Sequence, residues 1–116
     1  MDDENIKKSK EAVDLLMLQT KAREFQNKSN ELQQKEYQGK YQGVSIKMKG
    51  DHTVFDVHID QGFYETSSKG QMEKAIISLL NNLNNAIKQD QDDLQRELQG
   101  DIERMQKDAM LNNAGN

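Results

Sequence analysis

The chain has 116 residues, 34% hydrophobic and 31% charged, with a formal net charge of −4 and neither Cys nor Pro. The length fits one domain; the lack of Cys excludes disulfides and thiolate metal sites, and the lack of Pro leaves long helices unobstructed. Apolar runs stop at four residues, Leu15 to Leu18, far short of the roughly 20 that a membrane span needs.

The acidic start Met1-Asp2-Asp3-Glu4 has no apolar stretch of the kind a secretory signal carries. The expected location is therefore the cytoplasm. Globular domains usually hold a larger apolar share. An elongated helical shape, or a core completed by a partner chain, is expected. A simple DNA binder is normally basic, and this composition is not.

From about Glu4 to Glu36 the pattern predicts one long helix. Leu15, Leu18, Ala22, Phe25, Ser29 and Leu32 follow a 4-3 spacing that forms one mostly apolar stripe. Leu16 and Met17 widen it near its start. At 1.5 Å per residue this helix runs about 50 Å, too long for a small core to cover.

From Tyr37 to Tyr64 the period changes to two. Val44, Ile46 and Met48 alternate with Ser45, Lys47 and Lys49; Phe55, Val57 and Ile59 alternate with Val54, Asp56, His58 and Asp60. Such alternation predicts strands with one buried face. Gly50-Asp51-His52-Thr53 reads as the hairpin turn between them. Tyr37, Gly39 and Tyr41 predict a shorter first strand, turned into the second at Gln42-Gly43. Gly39, Gly43 and Gly50 are spaced as turn residues. A three-stranded meander needs a helix layer for cover, and its free edge or other face invites a partner.

Ser68 followed by Gln71 fits a capping box. A second helix then carries Met72, Ile76, Leu79, Leu80, Leu83 and Ile87 at helical spacing, continued more weakly by Leu94, Leu98, Ile102 and Met105. Gly100 is the point where it could end. The expected fold is α+β, a long helix, a three-stranded antiparallel meander and a long helix (α-β-β-β-α). The organisation is one domain over 1–116, frayed at residues 1–5 and 111–116.

Few residues suit catalysis. No nucleophile elbow, phosphate loop, dinucleotide fingerprint or zinc motif occurs, so no enzyme and no cofactor is expected. Asp56, His58 and Asp60 share one strand face and together resemble a divalent-metal set. The plainer reading, a solvated face with Lys47 and Lys49 as cross-strand charge partners, is preferred because no further ligand cluster is in view. Asn81, Asn82, Asn84 and Asn85 could contact bases or phosphates; a solvated polar face beside Leu80, Leu83 and Ile87 is the simpler account.

Charge is balanced along both helices. Up to Glu36 there are seven basic and eight acidic residues, and from Ser67 onward six and eight. Only Lys7, Lys8 and Lys10 cluster. Phosphate binding therefore requires basic side chains from both helices, or from two subunits, to converge.

One stretch resembles the YbaB/EbfC nucleoid-associated family. It runs Gly43-Val44-Ser45-Ile46-Lys47-Met48-Lys49-Gly50, then Phe55-Asp56-Val57-His58-Ile59-Asp60, then the capped helix from Lys74 through Asn84-Asn85-Ala86-Ile87. The family pattern is a V-x-V/I strand ending in Gly, a strand ending in Ile-Asp, and a helix with A…N-x-A near its middle. Similarity covers roughly residues 10 to 95. Three departures occur: Gln61-Gly62 replaces the common Pro after Ile-Asp, an acidic N-terminus replaces the Met- and Gly-rich lead, and the last helix is longer.

The resemblance implies an α-β-β-β-α protomer and a homodimer built around the sheet, with paired helices projecting like tweezers. It also implies binding to duplex DNA with low or weak sequence specificity in the bacterial nucleoid, with possible effects on gene expression. Lys21, Arg23 and Lys28 on the first helix, with Lys88 and Arg96 on the second, are the expected phosphate contacts. A protein-interaction adaptor or chaperone, using its helix stripes or sheet edge, is the alternative. No membrane and no small-molecule substrate is expected as a partner.

Overall fold

The computed structural model describes residues 2–114, with side chains described at 12–108 and 110. The elements run α1 (Asp2–Gln34), β1 (Glu36–Tyr41), β2 (Val44–Lys49), β3 (Val54–Ile59), α2 (Gln61–Thr66) and α3 (Lys69–Ala114). The expected helix–meander–helix order is present. A short helix, α2, occupies the segment after the meander, where the sequence pattern predicts no helix. Helix α3 passes through Gly100 without a break. The fraying expected at 1–5 and 111–116 concerns side chains that lie outside the described ones. The chain forms two compact units, Asn30–Asp93 and Met1–Ser29 with Leu94–Asn116.

The first unit holds the sheet, ordered β1-β2-β3 and antiparallel throughout. Val44, Ile46 and Met48 of β2 are buried, as their alternation predicts, and Tyr37 of β1 joins them. Ala75, Leu79, Leu83 and Ile87 of α3 complete the core. Their spacing of four keeps one stripe on the sheet. The buried stripe thus begins at Ala75, with Ile76 and Leu80 packed at its margin. Each fully buried aliphatic side chain of this set contributes roughly 1.5–3 kcal/mol of transfer free energy.

Two glycines owe their place to space rather than to backbone freedom. Among the described residues no glycine has a positive φ; in the two hairpin turns Gln42 (φ 51) and His52 (φ 68) take that conformation. Gly39 lies inside β1 opposite Ile46, where a Cβ would stand 2.6 Å from Leu79 Cδ1. Its missing side chain lets α3 approach the sheet. Gly50 abuts the backbone of Leu32 at the end of α1. There the turn serves as a cap: Gly50 N–H donates to the Lys35 carbonyl at 2.9 Å and Asp51 N–H to that of Gln33 at 3.2 Å. Those carbonyls lie at the helix C-terminus, where intrahelical partners run out.

Strand β3 departs from expectation. Its alternation predicts a buried face, yet no β3 residue is buried. Val54, Phe55 and Val57 are 41%, 44% and 51% exposed, and only Ile59 is packed against the core. Val57 and Val54 face the same way as Ile46 and Met48, their register partners, but α3 covers β2 rather than β3. The register shifts opposite Lys47/Met48, leaving Phe55 as the extra residue of a bulge.

After β3, Phe63 of α2 packs against the core and over Gly43. The capping box is present in both halves: Ser68 N–H donates to Gln71 Oε1 at 2.9 Å and Gln71 N–H to Ser68 Oγ at 3.2 Å.

Asp90 of α3 fastens the start of β1. Its Oδ2 accepts from Tyr37 Oη at 2.6 Å and from Lys35 Nζ at 2.8 Å. The Lys35 bond, then the Tyr37 bond, holds the Asp90 carboxyl below the ordinary carboxylate range, while burial and then Asp90 push the Tyr37 phenol up. A depressed folded-state carboxyl adds stability that is present above its unfolded pKa and lost as pH falls through the folded one. Tyr37→Phe is expected to cost about 1.5–2 kcal/mol at neutral pH, read from urea melts. The gap from wild type should narrow as pH falls from the ordinary carboxylate range through the depressed value of Asp90. A gap that stays constant into acid would assign the loss to packing.

In the second unit α1 and α3 meet along a thin seam. Lys21, Phe25 and Ser29 are half-buried on α1, as are Leu94, Leu98, Ile102 and Met105 on α3. Leu15 and Ala22, expected in the stripe, are exposed. Val13, Leu15, Leu16, Met17 and Leu18 are all 43–62% exposed. Five apolar side chains within six positions spread around the whole helix, at 100° per residue, so one neighbouring helix cannot cover them.

Candidate nucleic-acid interface

Four of the five expected phosphate contacts, Lys21, Arg23, Lys28 and Arg96, belong to the helical unit; Lys88 belongs to the sheet unit. Lys21 and Lys28 lie seven residues apart, about two helical turns, and so share a face of α1. Both already have carboxylate partners on α3. Lys28 Nζ donates to Glu97 Oε1 at 2.8 Å. Lys21 Nζ lies 3.6 Å from Asp101 Oδ2 and 3.4 Å from Glu24 Oε2. The Glu97 hydrogen bond and charge raise the Lys28 pKa, holding its proton more firmly.

Arg23 is exposed and points away from that face, two residues on from Lys21. Arg96 is exposed on α3, beside Glu97. Lys88 is exposed, one residue past the buried Ile87. Among the described residues neither Arg23 nor Lys88 makes an ion pair. The geometry thus separates Lys21 and Lys28, each with a carboxylate attached, from Arg23 and Lys88, which face solvent.

The outer face of the sheet carries three more lysines, Lys40 and the expected cross-strand charge partners Lys47 and Lys49. Strand alternation was the available signal for this face. Their charge is matched locally. Lys40 Nζ stands 3.5 Å from Asp60 Oδ2, while Asp56 faces Lys47 and Glu36 faces Lys49 across the strands. His58 lies opposite Ser45, with Nε2 3.3 Å from Asp60 Oδ1. Among the described residues no group of three or more His, Asp or Glu side chains is placed to hold a metal ion.

Of the Asn cluster, Asn84 has a structural task. Its Oδ1 meets His52 Nδ1 at 2.9 Å, tying the β2–β3 turn to α3. Asn81, Asn82 and Asn85 are exposed. No helix of the described residues is long and apolar enough to cross a membrane.

A three-stranded meander with a long helix on either side, and with basic side chains distributed over both helices, defines an α+β protein of helix–meander–helix type. The sequence profile of the YbaB/EbfC DNA-binding family matches residues 10–102, and the chain belongs to that family. DNA is the partner class that this membership sets. The fold is similar to that in the crystal structure of uncharacterized protein HP0035 from Helicobacter pylori. The TM-score is 0.59 at 21% identity, over 71% of this chain and 88% of that one. No curated protein matches it.

Proposed function

We propose that this chain is a nucleoid-associated protein that binds duplex DNA as a homodimer, with low sequence specificity and effects on gene expression. The observation that carries this reading is the family match over residues 10–102. Lys21, Arg23, Lys28, Lys88 and Arg96 are the proposed phosphate contacts. A net charge of −4 weakens non-specific attraction to DNA. Binding then depends on the local placement of these cations, and Arg23 and Lys88, which face solvent, are the ones ready for phosphate. Exposed Val54, Phe55 and Val57, on a strand paired on one side only, support a second copy as the occupant of that margin.

Duplex binding measured across a salt series tests the proposal. The logarithm of affinity should fall linearly with the logarithm of salt, by roughly 0.9 for each phosphate neutralised. An absence of binding at low salt rejects the reading. One observation favours a second function, a protein-interaction adaptor: the exposed apolar positions Val13 and Leu15 to Leu18 on α1. Recovery of one stoichiometric protein partner, insensitive to nuclease, would support that alternative.

A further inference from the structure

Resting on the DNA-binding reading, we propose that Glu97 and Asp101 set the DNA affinity of this protein, holding Lys28 and Lys21 as internal stand-ins for phosphate. Lys28 reaches across 69 residues of sequence to donate to Glu97 Oε1 at 2.8 Å. Lys21 sits between Asp101 at 3.6 Å and Glu24 at 3.4 Å. Asp101 is further tied to Arg104, whose Nη2 lies 3.2 Å from its Oδ1. Three cations of this unit are thus engaged by three carboxylates.

These pairs do little for the fold. The lysine side chains are 50% and 36% exposed, and exposed ion pairs contribute little to stability because solvent and salt screen them. The apolar seam through Phe25, Leu94 and Leu98 is the sturdier attachment between the helices. On DNA binding the same pairs weigh more. A lysine releases counterions only where it neutralises a phosphate. To do so, Lys28 or Lys21 must first leave its carboxylate, and that carboxylate then stands unpaired beside a polyanion. The acids therefore act twice, by occupying the cation and by repelling the ligand. Their exposure makes the exchange accessible to phosphate.

The test uses the full chain and a short DNA duplex. Glu97→Gln with Asp101→Asn keeps side-chain size and one acceptor oxygen while removing charge. Circular dichroism and a thermal melt check that the helices remain. Affinity at low salt is expected to rise by up to roughly fivefold for each pair removed, the upper end of the usual surface strength. The salt slope should steepen by up to roughly 0.9 for each lysine freed.

The matched control is Glu103→Gln with Asp108→Asn, which removes equal charge from exposed positions that make no ion pair among the described residues. It is expected to change affinity less and to leave the slope as it was. Equal shifts in the two double variants would reduce the effect to net charge and overturn the inference. So would unchanged or weaker binding by Glu97→Gln/Asp101→Asn. Should that double variant melt early, Lys28→Gln in wild-type and Glu97→Gln backgrounds gives an independent cycle. The lysine should matter more where its carboxylate is gone, and equal losses in both backgrounds overturn the idea. A wild-type protein that binds no duplex rejects the DNA-binding reading as well.

Discussion

Gly50→Ala is expected to destabilise the protein by about 3 kcal/mol or more, as large-effect substitutions at crowded backbone sites do. The added methyl would overlap the Leu32 carbonyl oxygen and crowd Gln33 Cα. These are backbone atoms, so no rotamer change makes room. The turn would have to lift from α1, breaking the Gly50-to-Lys35 and Asp51-to-Gln33 hydrogen bonds. Each such bond contributes about 1 kcal/mol net, and a carbonyl left unsatisfied costs more. The loss is a large fraction of a total stability of about 5–15 kcal/mol. Gly62→Ala is the control, because nothing stands within 4 Å of its Cβ position. A urea midpoint for Gly50→Ala within error of the Gly62→Ala value would show that the turn does not hold α1 in this way.

That contact explains why part of the fold was legible in the sequence and part was not. Val44, Ile46 and Met48 announce a strand because alternation is a local property of six residues. Ser68 and Gln71 announce a helix start for the same reason, and both halves of their hydrogen-bonded box form. The role of Gly50 depends on Leu32, eighteen positions earlier and in another element, so spacing pointed only to a turn. Likewise, the alternation of β3 shows which side chains share a face; it carries no information about whether anything lies on that face. Helix α2 is six residues long and contains Gly62, too short for a helical period to register. The basic residues themselves were plain to see. That Lys28 and Lys21 are held by Glu97 and Asp101 follows from the packing of α1 on α3, which a count of nearby acids does not reveal.

Under the proposed pairing of two copies at the β3 margin, Val57→Lys should leave a folded monomer and cut DNA binding with it. Val57 is 51% exposed and pairs in register with Ile46, so it faces the core side of the sheet without being part of the core. A lysine there can reach water in an isolated protomer, and the melting midpoint should move little. At an interface with a second copy the same ammonium would be desolvated without a partner, at a cost of several kcal/mol. The expected result is a halved mass by light scattering with an unchanged circular dichroism spectrum. The substitution adds positive charge, which by itself favours DNA. A fall in affinity, with the salt slope reduced to about half, would therefore have to come from losing the second set of phosphate contacts. If Val57→Lys still runs as a dimer, the β3 margin is not where two copies meet. If it becomes monomeric yet binds duplex with the wild-type slope, one protomer suffices for DNA and the dimer serves some other purpose.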